Sequence, residues 1–443
     1  MTTVITTEIK NQAVAALKQL IAQPSYNQPA APGAPFGPGI RQALDLMLKH
    51  CQQLGFRTYV DPEGYYGYAE IGDRGPVFGV IGHLDTVPAG DLAAWETAPF
   101  EPVVKDGKII GRGAQDDKGP TIAALYAVKA LLDAGYQLKQ RIRFIFGTDE
   151  EILWRGIARY NQQEDPIDSG IAPDAEFPLI YAEKGLEQAY LVGPGTDQFE
   201  LKMENAFNAV PAKATYDGPQ LDAVVAALDR HGFAYQRTEH AVTVLGKAVH
   251  AMNAPQGTNA VLRLAIALDE VFDFAPLHFI GQLFKEDATG ENVLGKVTDE
   301  SGQLTFNISN LVVNAKETRM QIDLRIPVIV DRDALIKRLD ERVAPYQLKY
   351  APLDYVAPLF VPKDSTLVKT LMKVYQDQTG DQTPPQISGG ATFARTMHNC
   401  VAYGAMLPDV TDYMHQPNEQ WPLESMYKTM EIYAAAIKEL CFE

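Results

Sequence analysis

The sequence predicts an α/β protein built on a mixed sheet flanked by helices, with an α+β segment inserted into it. Three observations carry this reading. Short apolar runs alternate with helical patterns between residues 77 and 147, the pattern changes character near Gly185, and long helical periodicities return after residue 364. The chain of 443 residues suits such an organisation, because one domain commonly takes roughly 100–200 residues. Apolar residues make up 46% and charged residues 21%, which is the balance of a globular chain and excludes a disordered one.

Residues 8–22 and 39–54 carry apolar positions at helical spacing, and the Pro/Gly-rich stretch 24–38 between them cannot continue a helix. At 76–83 the pattern becomes PVFGVIGH, the run of a buried strand, ending in the polar group His83-Leu84-Asp85. Residues 103–110 place Asp106-Gly107 between apolar pairs, a hairpin signal. A helix is predicted over 119–132, with Pro120 in its first turn, where a missing N–H costs nothing. RIRFIFG at 141–147 reads as a second buried strand and runs into Asp149, Glu150 and Glu151; a further apolar pair, Leu179-Ile180, follows Asp174.

Strands are predicted at 199–210, 241–249, 303–314 and 318–327, and helices at 219–232, 255–274 and 331–343. This middle region is therefore α+β, with an approximate internal doubling. Helical patterns at 365–379 and 423–440, with a strand at 400–403, return to the first type. The predicted organisation is a first segment 1–184, an insertion 185–363, and a second segment 364–443 completing the first domain.

The 56 acidic residues exceed the 39 basic ones, giving a net charge of −17, so the phosphate backbone of nucleic acid or an anionic membrane surface would be repelled. The same excess suits cations. Three scattered cysteines exclude a disulfide framework or a thiolate zinc site and point to a reducing compartment. The opening residues lack the continuous apolar stretch of a signal peptide, and no run approaches the ~20 apolar residues of a membrane span. A cytoplasmic protein is expected.

Potential metal ligands fall at five loop positions: His83 with Asp85, Asp116 with Asp117, Glu150 with Glu151, Asp174, and His415. Singly, each is the ordinary acid or histidine of a charged surface; together, at the ends of successive elements, they point to a metal site. Two residues apart on a strand, His83 and Asp85 would share a side, so that the carboxylate could hold the imidazole while the ring binds a metal. Of two adjacent carboxylates at a strand end, one can ligate while the other stays free as a general base. Two metals sharing a carboxylate would account better than one for five ligand positions. Competing motifs are weaker. Gly111-Arg112-Gly113-Ala114-Gln115-Asp116 starts like a dinucleotide fingerprint but has Asp at the third glycine position, and it follows a hairpin. Ser388-Gly389-Gly390 lacks the nucleophile-elbow spacing, and its glycines instead suit backbone N–H groups at a short helix start, where a substrate carboxylate binds.

The segments GHLDTVP (82–88), GRGAQDDKGP (111–120), GTDEE (147–151), PDAEFP (173–178), SGGATFAR (388–395) and MHQPNE (414–419) resemble, in order and spacing, the co-catalytic zinc peptidases that include carnosinases, aminoacylases and desuccinylases. The chain is most similar to the bacterial PepV-type dipeptidases. The resemblance implies a dinuclear metallopeptidase that hydrolyses dipeptides, with two divalent metals, zinc first and manganese or cobalt as alternatives. Asp116 would bridge both metals, His83 and Asp174 completing one and Glu151 and His415 the other. Asp85 would orient His83, Glu150 would be the general base, and the Asp116–Asp117 peptide would be cis. In the insertion, which the family uses as a lid, His250 matches the histidine that polarises the scissile carbonyl. Arg325 matches the arginine that holds the substrate carboxylate, and Asn259 is a further candidate for the lid side of the pocket. N-acyl amino acid deacylases and desuccinylases share this metal centre and are the alternative.

Many relatives dimerise through a short lid, whereas PepV-type chains carry a longer, internally doubled one. The insertion here is of the longer kind, so the chain is predicted to be a monomer acting on a small peptide without nucleic acid or membrane partners. Sedimentation should give a single species of the chain mass, 48.7 kDa; a stable dimer would contradict this.

Overall fold

The computed structural model describes residues 3–443, so the first two residues of the predicted first segment lie outside the described residues. The chain divides into two units, one formed by Met1–Ala182 with Leu359–Glu443 and the other by Glu183–Pro358.

In the first unit, α1 (Thr7–Ile21) and α2 (Pro38–Gln53) lead into β1 (Arg57–Val60), β2 (Gly67–Ile71) and β3 (Val77–His83). The hairpin of β4 (Val103–Lys105) and β5 (Lys108–Ile110) precedes α3 (Lys118–Asp133), β6 (Arg141–Gly147), α4 (Arg155–Gln163), β7 (Ser169–Ala172), β8 (Ala175–Glu176) and β9 (Ile180–Glu183). Asp106 and Gly107 both have positive φ, as a tight two-residue hairpin turn requires. The main sheet runs β1, β2, β6, β3, β7, then Cys400–Ala402, β9 and Leu359–Phe360. Its centre is parallel: β3 pairs with β6 on one side and β7 on the other, and β7 pairs with Cys400–Ala402. The antiparallel pairs β1·β2 and β2·β6 close one edge.

This order explains where chemistry can sit. The chain leaves β3 for β6 on one side and then returns to β7 on the other, so the carboxyl end of β3 is a topological switch point, where open α/β sheets leave a crevice. Beneath it, α3 is apolar on nearly every face and buried over most of its length, packed against β3, α1 and the terminal helix Leu423–Cys441. The polar start of α3 holds the switch point: Asp117 Oδ2 accepts from His83 N at 3.0 Å and from Thr121 Oγ1 at 3.0 Å.

In the second unit a four-stranded antiparallel sheet has the order Thr305–Val313, Glu317–Ile326, Gly185–Pro194, Lys349–Val356. A separate three-stranded sheet joins Lys213–Tyr216, Val242–Leu245 and Tyr235–Arg237. Helices Leu221–His231, Ala260–Asp269 and Arg332–Val343 complete it, over a core that includes Phe199, Leu264, Phe279, Phe306 and Ile322.

Several expectations are corrected. The strand predicted at 199–210 is irregular, and its β-pairing is reduced to the isolated bridges Leu201↔Val313 and Ala209↔His250. The helix predicted at 255–274 shrinks to Ala260–Asp269, because Pro255 and Gly257 end a preceding 3-10 turn and Asn259 caps a fresh start. Strands β1, β2, β7, Gly185–Pro194 and Lys349–Val356, and helix α4, were not anticipated; the 185–194 strand alternates buried and half-buried residues along most of its length.

Gly82 makes the closest approach between β3 and α3. A Cβ there would stand 2.0 Å from Thr121 Oγ1 and 2.7 Å from Asp117 Oδ2, both needed to hold His83 N–H. Gly82→Ala should therefore cost about 1–3 kcal/mol through overpacking, read as a lower denaturant midpoint. An unchanged midpoint would contradict this close packing.

Candidate metal centre

His83 ends β3, and its register partner Gly147 ends β6; Glu150 and Glu151 follow three and four residues later, and Asp174 lies two residues beyond β7. Three neighbouring parallel strands thus deliver their ligand candidates to one edge. Asp116 lies between the β4–β5 hairpin and α3, and the Asp116–Asp117 peptide is cis. His415 stands on an irregular stretch after Ala405–Met406, with φ of 62°, a region that non-glycine residues seldom occupy.

These side chains form two groups that share Asp116. In the first, His83 Nε2 stands 2.9 Å from Asp116 Oδ1 and 3.6 Å from Asp174 Oδ2. In the second, His415 Nε2 lies 2.9 Å from Asp116 Oδ2 and 3.1 Å from Glu151 Oε2. Within each group the ligand atoms fall within 4.8 Å of one another, and no other such group occurs among the described residues. His83 Nε2 and Glu151 Oε1 are buried without a hydrogen-bond partner, as are Asp85 Oδ1 and Asp117 Oδ1. Buried polar atoms left in this way are uncommon, and an imidazole nitrogen and carboxylate oxygens are donors suited to a divalent cation. The residues present therefore fit a pair of metals.

Electrostatics agree with an excess of negative charge. Burial opposes ionisation of Asp116, yet His415 and His83 outweigh it and hold the carboxyl below its usual range. Burial would lower the His83 pKa, but its contacts with Asp116, Asp174 and Asp85 raise it well above the ordinary value. His415, bonded to Asp116 and Glu151, is raised to about 10. Burial pushes Glu150 well up, with Asp174, Asp116 and Glu151 adding to it against the pull of His83; Glu151 is raised by burial against the His415 contact. The raised values at His83, His415, Glu150 and Glu151 are what a bound cation would relieve.

Asp85 acts differently from the predicted strand geometry. β3 stops at His83, so Asp85 lies in the following loop, and its backbone carbonyl, 2.9 Å away, accepts from Nδ1; its carboxylate is 3.6 Å from that nitrogen. The carboxylate instead accepts from Glu151 N at 3.1 Å. Asp85 thus ties the β3 and β6 ends together while fixing the His83 ring. Glu150 is half-buried, and its carbonyl accepts from the Trp154 indole at 2.7 Å, the indole itself packing edge-on to Phe393.

The Ser388 loop also differs from expectation. The Gly390 N–H is taken by Ser388 Oγ at 2.9 Å, the Gly390 carbonyl accepts from Arg395 at 2.8 Å, and the helix that follows is one 3-10 turn, Phe393–Thr396, capped by Thr392. Gly390 therefore does not present a free N–H at a helix start.

In the second unit, His250 Nδ1 accepts from Met252 N at 3.1 Å, so a neutral ring carries its proton on Nε2. Burial and then the Arg325 charge lower its pKa, which favours that neutral form. Arg325 is buried and bonded to Asp323 at 2.8 and 3.2 Å, on the strand whose partner residue is Leu186. Asn259 caps helix Ala260–Asp269 through Leu262 N, and its amide donates to Asn307 Oδ1 at 3.1 Å and Ile308 O at 2.8 Å.

Sequence reasoning overlooked Glu419, a fully buried carboxylate that accepts from Gln115 N at 2.8 Å, Asp116 N at 3.2 Å and Arg112 Nη1 at 2.8 Å. Its signal was its place at the end of MHQPNE. Gln115 was likewise present within a quoted motif without a role, whereas Asp117, expected with Asp116 among the potential metal ligands, falls in neither ligand group and spends Oδ2 on His83 N and Thr121 Oγ1.

The model of peptidase family M20/M25/M40 matches residues 79–439. A protein of Staphylococcus haemolyticus with a provisional dipeptidase name is 37% identical over 469 aligned positions, covering 98% of each chain. A similarly named protein of Staphylococcus aureus is 34% identical, again over 98% of both. Human carnosine dipeptidase 1 shares the fold at a TM-score of 0.58 and 18% identity, over 97% of this chain and 96% of that one. A dinuclear metal-binding peptidase from Bacillus subtilis does so at 0.55 and 13%, over 98% and 99%. With a family model spanning most of its length and relatives matched from end to end, the chain belongs to peptidase family M20/M25/M40 and is a metallopeptidase.

Proposed function

We propose that this metallopeptidase is a broad-specificity dipeptidase, with Glu150 as its general base. The observation that carries the reading is the pair of ligand groups sharing Asp116, with the half-buried Glu150 beside them. The dipeptidase names of the staphylococcal relatives support the substrate class. His83, Asp116 and Asp174 would hold one divalent metal, and Asp116, Glu151 and His415 the other. Such ions supply electrophilic activation of water and of the scissile carbonyl.

Glu150 takes a proton from the attacking water and delivers it to the leaving amine nitrogen. Asp85 keeps the His83 ring fixed with Nδ1 protonated, so that Nε2 faces Asp116 and Asp174. His250, as an Nε2–H donor, polarises the carbonyl oxygen, and Arg325 binds the substrate carboxylate. Ser388 and Gly389 are further candidates for contact with the substrate. Zinc is the first choice of metal, with manganese or cobalt as alternatives, because nitrogen and carboxylate donors do not select among them. A cytoplasmic monomer is part of the same reading, and three buried free thiols support a reducing compartment.

Chelation should abolish dipeptide hydrolysis, and added Zn²⁺, Mn²⁺ or Co²⁺ should restore it; activity that survives exhaustive chelation would refute metal dependence. Glu150→Ala should keep its metal content but lose about 10²-fold or more in kcat. Full activity in that variant would remove Glu150 from the base role. In a substrate panel, Ala-Ala-type dipeptides should be turned over well and N-acetyl or N-succinyl amino acids poorly; the reverse order would make the chain a deacylase.

A further inference from the structure

His415 is the ligand candidate least supported by regular structure. It is about half exposed, sits at a positive φ, and lies in the stretch 407–419, which contains no helix or strand. His83 and Asp174, by contrast, stand at or just beyond the ends of paired parallel strands. Something else must hold His415 against Asp116.

Both ends of its loop converge on one residue. On the near side, the buried Gln115 amide donates to Thr411 O at 2.9 Å and accepts from Tyr413 N at 2.8 Å, gripping the backbone just before His415. On the far side, Glu419 accepts from Gln115 N, and its own backbone carbonyl accepts from Gly111 N at 2.9 Å. Gln115 is also the residue immediately before Asp116, whose N–H shares the Glu419 carboxylate oxygen. The loop bearing His415 is therefore closed around the residue that precedes the shared carboxylate. A shift of Gln115 moves Asp116 and His415 together, whereas loss of its side-chain amide frees His415 alone.

We infer that Gln115 is a positioning residue that sets His415 against Asp116 and thereby governs occupancy of the second cation position, Asp116–Glu151–His415, without governing the first. This rests on the dinuclear reading of the two groups. A leucine at 115 fills similar volume but neither donates nor accepts, so Thr411 O and Tyr413 N lose their partner while the Glu419 bond to the backbone of residue 115 survives. A glutamate keeps an acceptor for Tyr413 N but places negative charge against Thr411 O.

The test is Zn²⁺ equilibrium dialysis, with metal content measured directly, on the full chain and on Gln115→Leu and Gln115→Glu. The wild-type chain should bind two equivalents. Gln115→Leu should bind the first with unchanged affinity and the second about 10–100-fold more weakly, the usual loss when a group supporting a ligand is removed, with Gln115→Glu between the two. Excess Zn²⁺ should restore hydrolysis in Gln115→Leu, which a general loss of structure would not allow. If Gln115→Leu fails to fold, Gln115→Glu alone decides. Two equivalents of unchanged affinity in the folded variants, or equal weakening of both, would overturn the inference. A wild-type chain that binds no metal would instead overturn the dinuclear reading on which it rests.

Discussion

The Asp116 carboxylate is the point on which the first unit turns. Its two oxygens each stand 2.9 Å from a different imidazole, so one side chain joins two ligand groups brought from opposite ends of the sequence. Burying a carboxylate is costly unless charge and hydrogen bonds compensate for it. Here the compensation comes from His83 and His415 on the carboxylate, while Glu419 fixes the adjoining backbone. The parallel order β6–β3–β7 brings His83, Glu151 and Asp174 to the same edge, and α3 begins directly below it.

Around that carboxylate the chain keeps more negative charge than its histidines balance. Asp85, Glu150, Glu151 and Asp174 face two imidazoles, and the raised values at Glu150 and Glu151 record the mutual repulsion together with burial. A fold selected only for stability would replace such a cluster with apolar residues, since buried charge seldom stabilises by itself. Its retention makes physical sense where divalent cations are held and where one carboxylate must stay free to move protons. The overall charge of −17 is a different matter, carried largely by exposed acids such as Asp73, Asp333 and Glu204, which serve solubility.

The second unit shows the same economy of means on a smaller scale. The Met252 N–H occupies His250 Nδ1 and so decides which nitrogen carries the proton, a choice set by backbone geometry. Both Asp323 carboxylate oxygens accept from the Arg325 guanidinium, and Asn259 anchors both a helix start and the neighbouring strand at Asn307 and Ile308. Each of these residues works through a hydrogen bond that the identity of the side chain alone does not announce.

Sequence by itself determined the elements whose signal is local. The buried runs ending at His83 and Gly147, the Asp-Gly hairpin, the largely apolar α3 and the terminal helices followed from periodicity and turn chemistry within a dozen residues. The ligand candidates were legible too, because acids and histidines clustered just past those runs. What remained hidden depended on partners far away. The four-residue strand β7 is too short to show a period and is defined by pairing with β3 and with Cys400–Ala402, so Asp174 had no visible strand behind it. The switch at β3 is a property of strand order, which no single segment encodes. The bonds that bring His415 to Asp116 join Gln115 to Tyr413 and Arg112 to Glu419, residues 298 and 307 positions apart. Periodicity fixes how a segment folds on itself; only packing across the sheet decides which distant segment supplies the missing hydrogen-bond partner.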